Sequence, residues 1–91
     1  MKYEIQRTTR FKKDYKIAIK RGCDPKLLME VISILADGEQ LLDKYSDHSL
    51  NGNYTGYREC HVQPDWLLVY KITESALVLT LYRTGSHSDL F

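Results

Sequence analysis

His48, His61 and His87 all lie in the C-terminal half of this 91-residue chain, each inside a run of polar and aromatic residues. The runs are Asp47-His48-Ser49-Leu50-Asn51-Gly52, then Gly56 to Trp66 (Gly-Tyr-Arg-Glu-Cys-His-Val-Gln-Pro-Asp-Trp), then Arg83-Thr84-Gly85-Ser86-His87-Ser88-Asp89-Leu90-Phe91. Imidazole both takes and gives protons near neutrality. Two of the runs add an arginine, Arg58 or Arg83, whose planar guanidinium can hold a phosphate. Proton-transfer groups beside phosphate-holding groups are what metal-free RNA cleavage requires. Three histidines and Asp65 would also suit zinc, but none of the histidines has a partner at close ligand spacing. No metal and no cofactor is therefore expected.

The rest of the chain must position these groups. Ninety-one residues make one domain, 1–91, with room for a modest core. A hydrophobic fraction of 43% and a charged fraction of 27% are those of an ordinary globule, which excludes a disordered chain. Cys23 and Cys60 make no disulfide framework, so a reducing compartment fits. No apolar run approaches the roughly 20 residues of a membrane span. Met1 to Ile5 lacks the apolar core of a secretion signal. A cytoplasmic protein with no membrane contact is expected.

The net charge of +1 conceals a strong asymmetry. Residues 7–26 hold eight Lys/Arg against two Asp, a local +6, while residues 27–91 hold four Lys/Arg against nine acids, a local −5. A basic segment of this kind suits either a polyanion or a plain solvated helix face.

Tyr3 to Arg7 alternates and predicts a first strand. Thr8 or Thr9 can cap a helix whose apolar positions are Phe11, Tyr15, Ala18 and Ile19, with Gly22 as its stop. Asp24-Pro25 restarts a second helix through Leu28, Val31, Ile32 and Leu35, ending at Asp37-Gly38. Residues 38–53, carrying His48, read as a long connection. Tyr54 to Val62, Trp66 to Ile72 and Ala76 to Arg83 read as three strands in an antiparallel meander. The result is an α+β two-layer domain of order β-α-α-β-β-β, an antiparallel sheet with a helical hairpin on one face. On a regular strand Arg58 and His61 point to opposite faces, so only a bulge or strand end could bring both to one site.

In that order, the three runs together with Pro64-Asp65-Trp66-Leu67-Leu68-Val69-Tyr70 resemble the YafQ branch of the RelE/ParE superfamily, toxins of type II toxin–antitoxin pairs. The resemblance in length and topology covers the whole chain, and its specific motifs lie between Asp47 and Phe91. It implies a RelE-like fold and a ribosome-dependent messenger-RNA endoribonuclease, held inactive by a cognate antitoxin and reaching operator DNA only through the antitoxin complex. It implies His48, His61, Asp65 and His87 as the catalytic set, and Trp66 and Phe91 as RNA-positioning residues. It also implies Arg83 near the scissile phosphate, and a basic first helix (Lys12, Lys13, Lys16, Lys20) facing ribosomal RNA.

The chemistry then suggests roles. His87 as imidazolium is the acid, and His61 or His48 is the base, oriented or polarised by Asp65. Arg83, with Arg58 as a second cation, holds the phosphate. The bland readings are a loop histidine at 48, core aromatics at Trp66 and Tyr70, and surface ion pairs for the two arginines. The competing function is a non-catalytic module of the same fold, either a gyrase poison or an antitoxin-binding subunit.

Overall fold

The computed structural model describes residues 1–91. Strand β1 (Glu4–Arg7) leads into helices α1 (Thr9–Lys20) and α2 (Pro25–Ala36). A two-residue strand β2 (His48–Ser49) follows, then β3 (Arg58–Gln63), β4 (Trp66–Thr73), β5 (Val78–Gly85) and a one-turn helix α3 (His87–Leu90). Single 3-10 turns at Asp43–Tyr45 and Gly52–Tyr54 flank β2. No helix is long and apolar enough to cross a membrane.

The helix starts follow from local chemistry. Thr8 Oγ1 accepts from Phe11 N–H at 3.0 Å, and Asp24 Oδ1 accepts from Lys26 N–H at 2.9 Å with Pro25 at the first helical position. Each side chain thereby satisfies a backbone donor that has no partner inside its helix. Phe11 and Ala18 of α1 are buried, as are Leu28, Val31, Ile32, Leu35 and Ala36 of α2. Ile19, expected on the inner face of α1, is 37% exposed, because Ala18 occupies the position against the sheet.

The five strands run in the order β1-β5-β4-β3-β2. β3, β4 and β5 form the expected antiparallel meander. The sheet is nevertheless mixed rather than antiparallel: β1 pairs in parallel with β5, Glu4 opposite Val78 and Arg7 opposite Leu81. The helical hairpin carries the chain over one face and the meander returns β5 beside β1 in the same direction. The long connection expected over residues 38–53 also gives up His48 and Ser49 to the sheet edge, where they pair with Glu59 and Arg58.

The sheet has two unlike faces because side chains alternate along each strand. Trp66, Leu68 and Tyr70 of β4 join Cys60, Val62, Leu79 and Leu81 under the helices, in a core of 17 buried residues. Leu67 and Val69 point the other way and form a small buried cluster with Leu90, with the partly buried Leu50, Tyr54, Tyr57 and Tyr82 packed against it. β4 is thus buried on both sides from Trp66 to Tyr70, which accounts for its unbroken apolar run.

Candidate active site

The second face carries the titratable residues. Glu59 and His61 are two apart on β3 and so share that face with Leu67 and Val69. The β2–β3 register sets His48 directly opposite Glu59. Both imidazoles converge on one carboxylate oxygen: Glu59 Oε1 lies 3.2 Å from His61 Nε2 and 3.6 Å from His48 Nε2. The Glu59 side chain is only 6% exposed, against 53% for His48 and 24% for His61. Its ion-pair partners are these two histidines, with no lysine or arginine among them. A buried carboxylate needs positive charge or hydrogen-bond donors nearby, and here the imidazoles supply them.

His87 arrives from the opposite end of the chain as the first residue of α3. Ser86 caps that helix in a reciprocal box with Asp89: Ser86 Oγ accepts from Asp89 N–H, and Asp89 accepts from Ser86 N–H. Arg21, at the C-terminal end of α1, forks onto the Asp89 carboxylate and ties the turn to the helical layer. Arg21 and the Ser86 amide together hold Asp89 well below the usual carboxylate range. Leu90 is buried on the sheet, which docks the tail.

Asp65 completes the arrangement from the β3–β4 turn. Its Oδ1 accepts from His87 N–H at 3.0 Å and lies 2.7 Å from His87 Nδ1. The backbone donor first, and the ring second, hold this carboxyl below its ordinary value. The His87 and His61 rings stand 5.5 Å apart, edge to face. Asp65 was expected to orient His61 or His48; it engages His87 instead, and the carboxylate at the other two histidines is Glu59. Sequence reasoning missed Glu59 as a site residue. The signal was its place two residues before His61, on the same face of a predicted strand.

The arginines lie elsewhere. Arg58 is on the helix side of β3, as alternation requires, and the irregularity in β3 comes only after His61. Its guanidinium donates to Asp47 from Nε and Nη2, both at 3.3 Å, and to Ser49 Oγ at 2.9 Å, while Tyr70 Oη donates to the same Asp47 at 2.6 Å. Arg58, expected as a second phosphate-holding cation, is thus engaged in an ion pair with Asp47 on the face away from His61. Arg83 donates to Asp14 of α1 through Nε at 2.9 Å and Nη2 at 3.1 Å, with both side chains largely covered (13% and 11% exposed). That pairing raises the Arg83 pKa and commits two of its donors to the carboxylate.

Trp66 is 3% exposed, packed in the main core, and its indole N–H donates to Thr84 Oγ1 at 2.9 Å. Its ring is covered, so the expectation that it contacts RNA is corrected to a core role. Phe91 is different: 58% exposed, it lies 5.3 Å from the Tyr54 ring, edge to face. Tyr54 continues to Tyr82 at 6.2 Å and Tyr82 to Tyr57 at 4.5 Å, an aromatic row on the same face as His61. Lys12, Lys13, Lys16 and Lys20 are all exposed on α1.

Comparison with known proteins adds to this geometry. A sequence family described as "Bacterial toxin of type II toxin-antitoxin system, YafQ" matches residues 3–91. The chain is 39% identical over 89 residues to the mRNA interferase toxin YafQ of Escherichia coli strain K12, covering 97% of this chain and 95% of that protein. Among solved structures, a metal-bound toxin from Helicobacter pylori superposes with a TM-score of 0.92 at 47% identity, over 98% of this chain and 99% of that one. The E. coli DinJ–YafQ complex gives a TM-score of 0.89 at 39% identity, over 98% of each chain.

Proposed function

The chain belongs to the YafQ family of type II toxin–antitoxin toxins, and from that premise and the geometry above we infer that it is an mRNA endoribonuclease that cuts by side-chain acid–base chemistry. The observation that carries the reading is the row Asp65–His87, His61–Glu59, His48, in which two imidazoles 5.5 Å apart are each held by a carboxylate.

In this reading the RNA supplies its own nucleophile. His61, backed by Glu59, removes the 2′-hydroxyl proton as that oxygen attacks the adjacent phosphorus. The P–O5′ bond breaks, and His87 as imidazolium gives its proton to the departing 5′-oxygen. The products are a 2′,3′-cyclic phosphate and a 5′-hydroxyl. Asp65 on Nδ1 fixes the ring of His87 so that Nε2 faces the substrate. His48 as imidazolium places positive charge where the phosphorane builds negative charge. A placed acid or base typically supplies about 10²–10⁴-fold, so two account for much of a nuclease's advantage. Arg83 is held on Asp14 through Nε and Nη2, and its remaining N–H groups are the ones left to meet the phosphate.

The target is messenger RNA engaged on a cytoplasmic ribosome. The exposed lysines of α1 face ribosomal RNA. The partner that silences the toxin is a cognate antitoxin, as DinJ accompanies YafQ in the E. coli complex.

The test is purified protein in a reconstituted translation reaction. Message should be cut only with ribosomes present and should carry 2′,3′-cyclic phosphate or 3′-phosphate ends. Cuts with 3′-hydroxyl ends would defeat the mechanism. A folded wild-type protein that cuts nothing and poisons gyrase, or only binds antitoxin, would defeat the enzyme reading.

A further inference from the structure

We propose that the cavity between the β3–β4 turn and the start of α2 is the pocket for the nucleobase on the 5′ side of the cut, so that the message runs 5′ to 3′ from His61 to His87. The inference rests on the reading that His61 is the base and His87 the acid.

The connectivity of RNA limits where that nucleobase can lie. The attacking 2′-oxygen sits on the sugar carbon next to the one that carries the base of the 5′ nucleotide. An imidazole that takes the 2′-hydroxyl proton therefore has that nucleobase beside it. The departing 5′-oxygen belongs to the next nucleotide, which lies beside the proton donor.

Two cavities flank the histidine pair, and each touches one end of it. One, of about 540 Å³, is lined by His61 but by neither Asp65 nor His87. The other, of about 580 Å³, lies between α1 and α3 and is lined by Asp65, Ser86 and Ser88 but not by His61. Pro64 borders the first and Asp65 the second, so a strand that crosses the β3–β4 turn passes from one to the other. Small-molecule pockets are typically about 300–1,000 Å³.

The cavity at His61 has the lining a base needs. Its covered part is Leu27, Tyr45 and Val62, an apolar and aromatic floor, and its exposed rim includes Glu30, Ser46 and Gln63. Unstacked RNA bases are held in this manner, with their faces on aromatic or apolar groups and their edges on hydrogen-bonding ones. The β3 register slips between His61 and Gln63, which lets His61, Val62 and Gln63 border one cavity despite strand alternation. The rim side chains have no partner within the chain, and since no buried polar atom is left unpartnered, theirs are open to a ligand. In the cavity beside α3 the arginines are already matched, Arg21 with Asp89 and Arg83 with Asp14. Ser46 stands at φ 47°, the left-handed region that favours glycine, and strain of this kind concentrates at ligand sites. Gln63 offers an amide donor and acceptor together, while Glu30 offers acceptors only, so the rim can tell exocyclic amino groups from keto groups.

The first measurement needs neither ribosome nor cleavage. The four nucleoside 3′-monophosphates, which match the 3′ end left on the 5′ fragment, are titrated into the protein and followed by NMR. Each should shift the His61 and His87 ring signals together with the Gln63 side-chain amide and the Tyr45 ring. The four should bind unequally, and Gln63→Ala should narrow the spread and weaken the tightest by about tenfold, as loss of a hydrogen-bonded pair to a base does. The second measurement sequences the cut ends from a reconstituted translation reaction. Gln63→Ala and Glu30→Gln should flatten the base preference at the position 5′ of the cut and leave the 3′ position unchanged. Histidine shifts without Gln63 and Tyr45, no binding at millimolar nucleotide, or an unaltered preference 5′ of the cut would each overturn the pocket. Protein that binds the 3′-monophosphates in this way yet cuts no message would count against the nuclease reading alone.

Discussion

The two faces of the sheet are made by the same strands and do opposite work. Under the helices, Leu68, Tyr70, Leu79 and Leu81 are at most 1% exposed and pack with α1 and α2 into one continuous core. On the other face the buried cluster is Leu67, Val69 and Leu90, and beyond it lie partly exposed aromatics and the three histidines. Alternation along β3 and β4 places the groups of one face a single residue from those of the other. Stability and reactivity can then be altered nearly independently, provided the substitution keeps strand parity.

The sharpest way to break that comparison is His87→Ala. His87 is half exposed on α3, and its partner Asp65 is more exposed still, so losing the ring should barely change the melting temperature. Cleavage should fall about 10²–10⁴-fold if His87 is the proton donor. Growth arrest on expression should disappear while circular dichroism stays native. Undiminished toxicity from the folded variant would take His87 out of the mechanism.

The converse substitution is Leu68→Ala on the helix side. Leu68 is 0% exposed, so the cavity should cost about 2–5 kcal/mol and lower the urea midpoint clearly. Per folded molecule, cleavage should stay near wild type. A parallel collapse in the activity of the folded fraction would mean the two faces are coupled through β4 rather than separable.

Asp65→Asn is expected to act more mildly. The backbone amide and ring of His87 hold the Asp65 carboxyl below its ordinary value, so the charged form belongs to the folded state. A carboxyl lowered in this way favours folding above its unfolded pKa, and that contribution is lost as pH falls through the lower folded value. Asp65 is therefore ionised throughout the working range and can steady an imidazolium at His87. Asparagine removes that charge while keeping an oxygen for the His87 amide. Cleavage should drop roughly tenfold, and the acidic and basic limbs of its bell-shaped pH profile should move closer together. An unshifted profile would make Asp65 a cap for α3 and nothing more.

Much of this was legible from local signals. Thr8 and Asp24-Pro25 announce the helix starts through groups within three residues, and alternation alone warned that Arg58 and His61 part company. Trp66 shares parity with Leu68 and Tyr70, which already pointed inward. The pairing of His48 with Glu59 was not legible, because it depends on the register of a two-residue strand with no hydrophobic pattern to set it. Asp65 meeting His87 is likewise a contact between a turn and the chain end, 22 residues apart. The parallel pairing of β1 with β5 joins the first strand to the last, which no window of sequence contains. Arg83 looked free because Asp14 lies 69 residues away.

The smallest expected effect tests the outer edge of the reactive face. Phe91 is 58% exposed and touches the Tyr54 ring with an edge-to-face contact, while its neighbour Leu90 is the residue that anchors the tail. An aromatic held at that angle keeps a face open beside the helix that carries His87. Base–aromatic stacking contributes about 1–3 kcal/mol, so removing Phe91 should weaken substrate engagement by roughly tenfold. The loss should appear mainly in KM, because the ring touches neither the attacking nor the leaving oxygen. Aromatic pairs add only about 0.5–1.5 kcal/mol, so the melting temperature should fall by a few degrees at most. Phe91→Trp should preserve engagement and Phe91→Leu should not, which separates stacking from simple apolar contact. If deletion instead lowers the melting temperature sharply and leaves the folded fraction fully active, Phe91 belongs with Leu90 as part of the small second core.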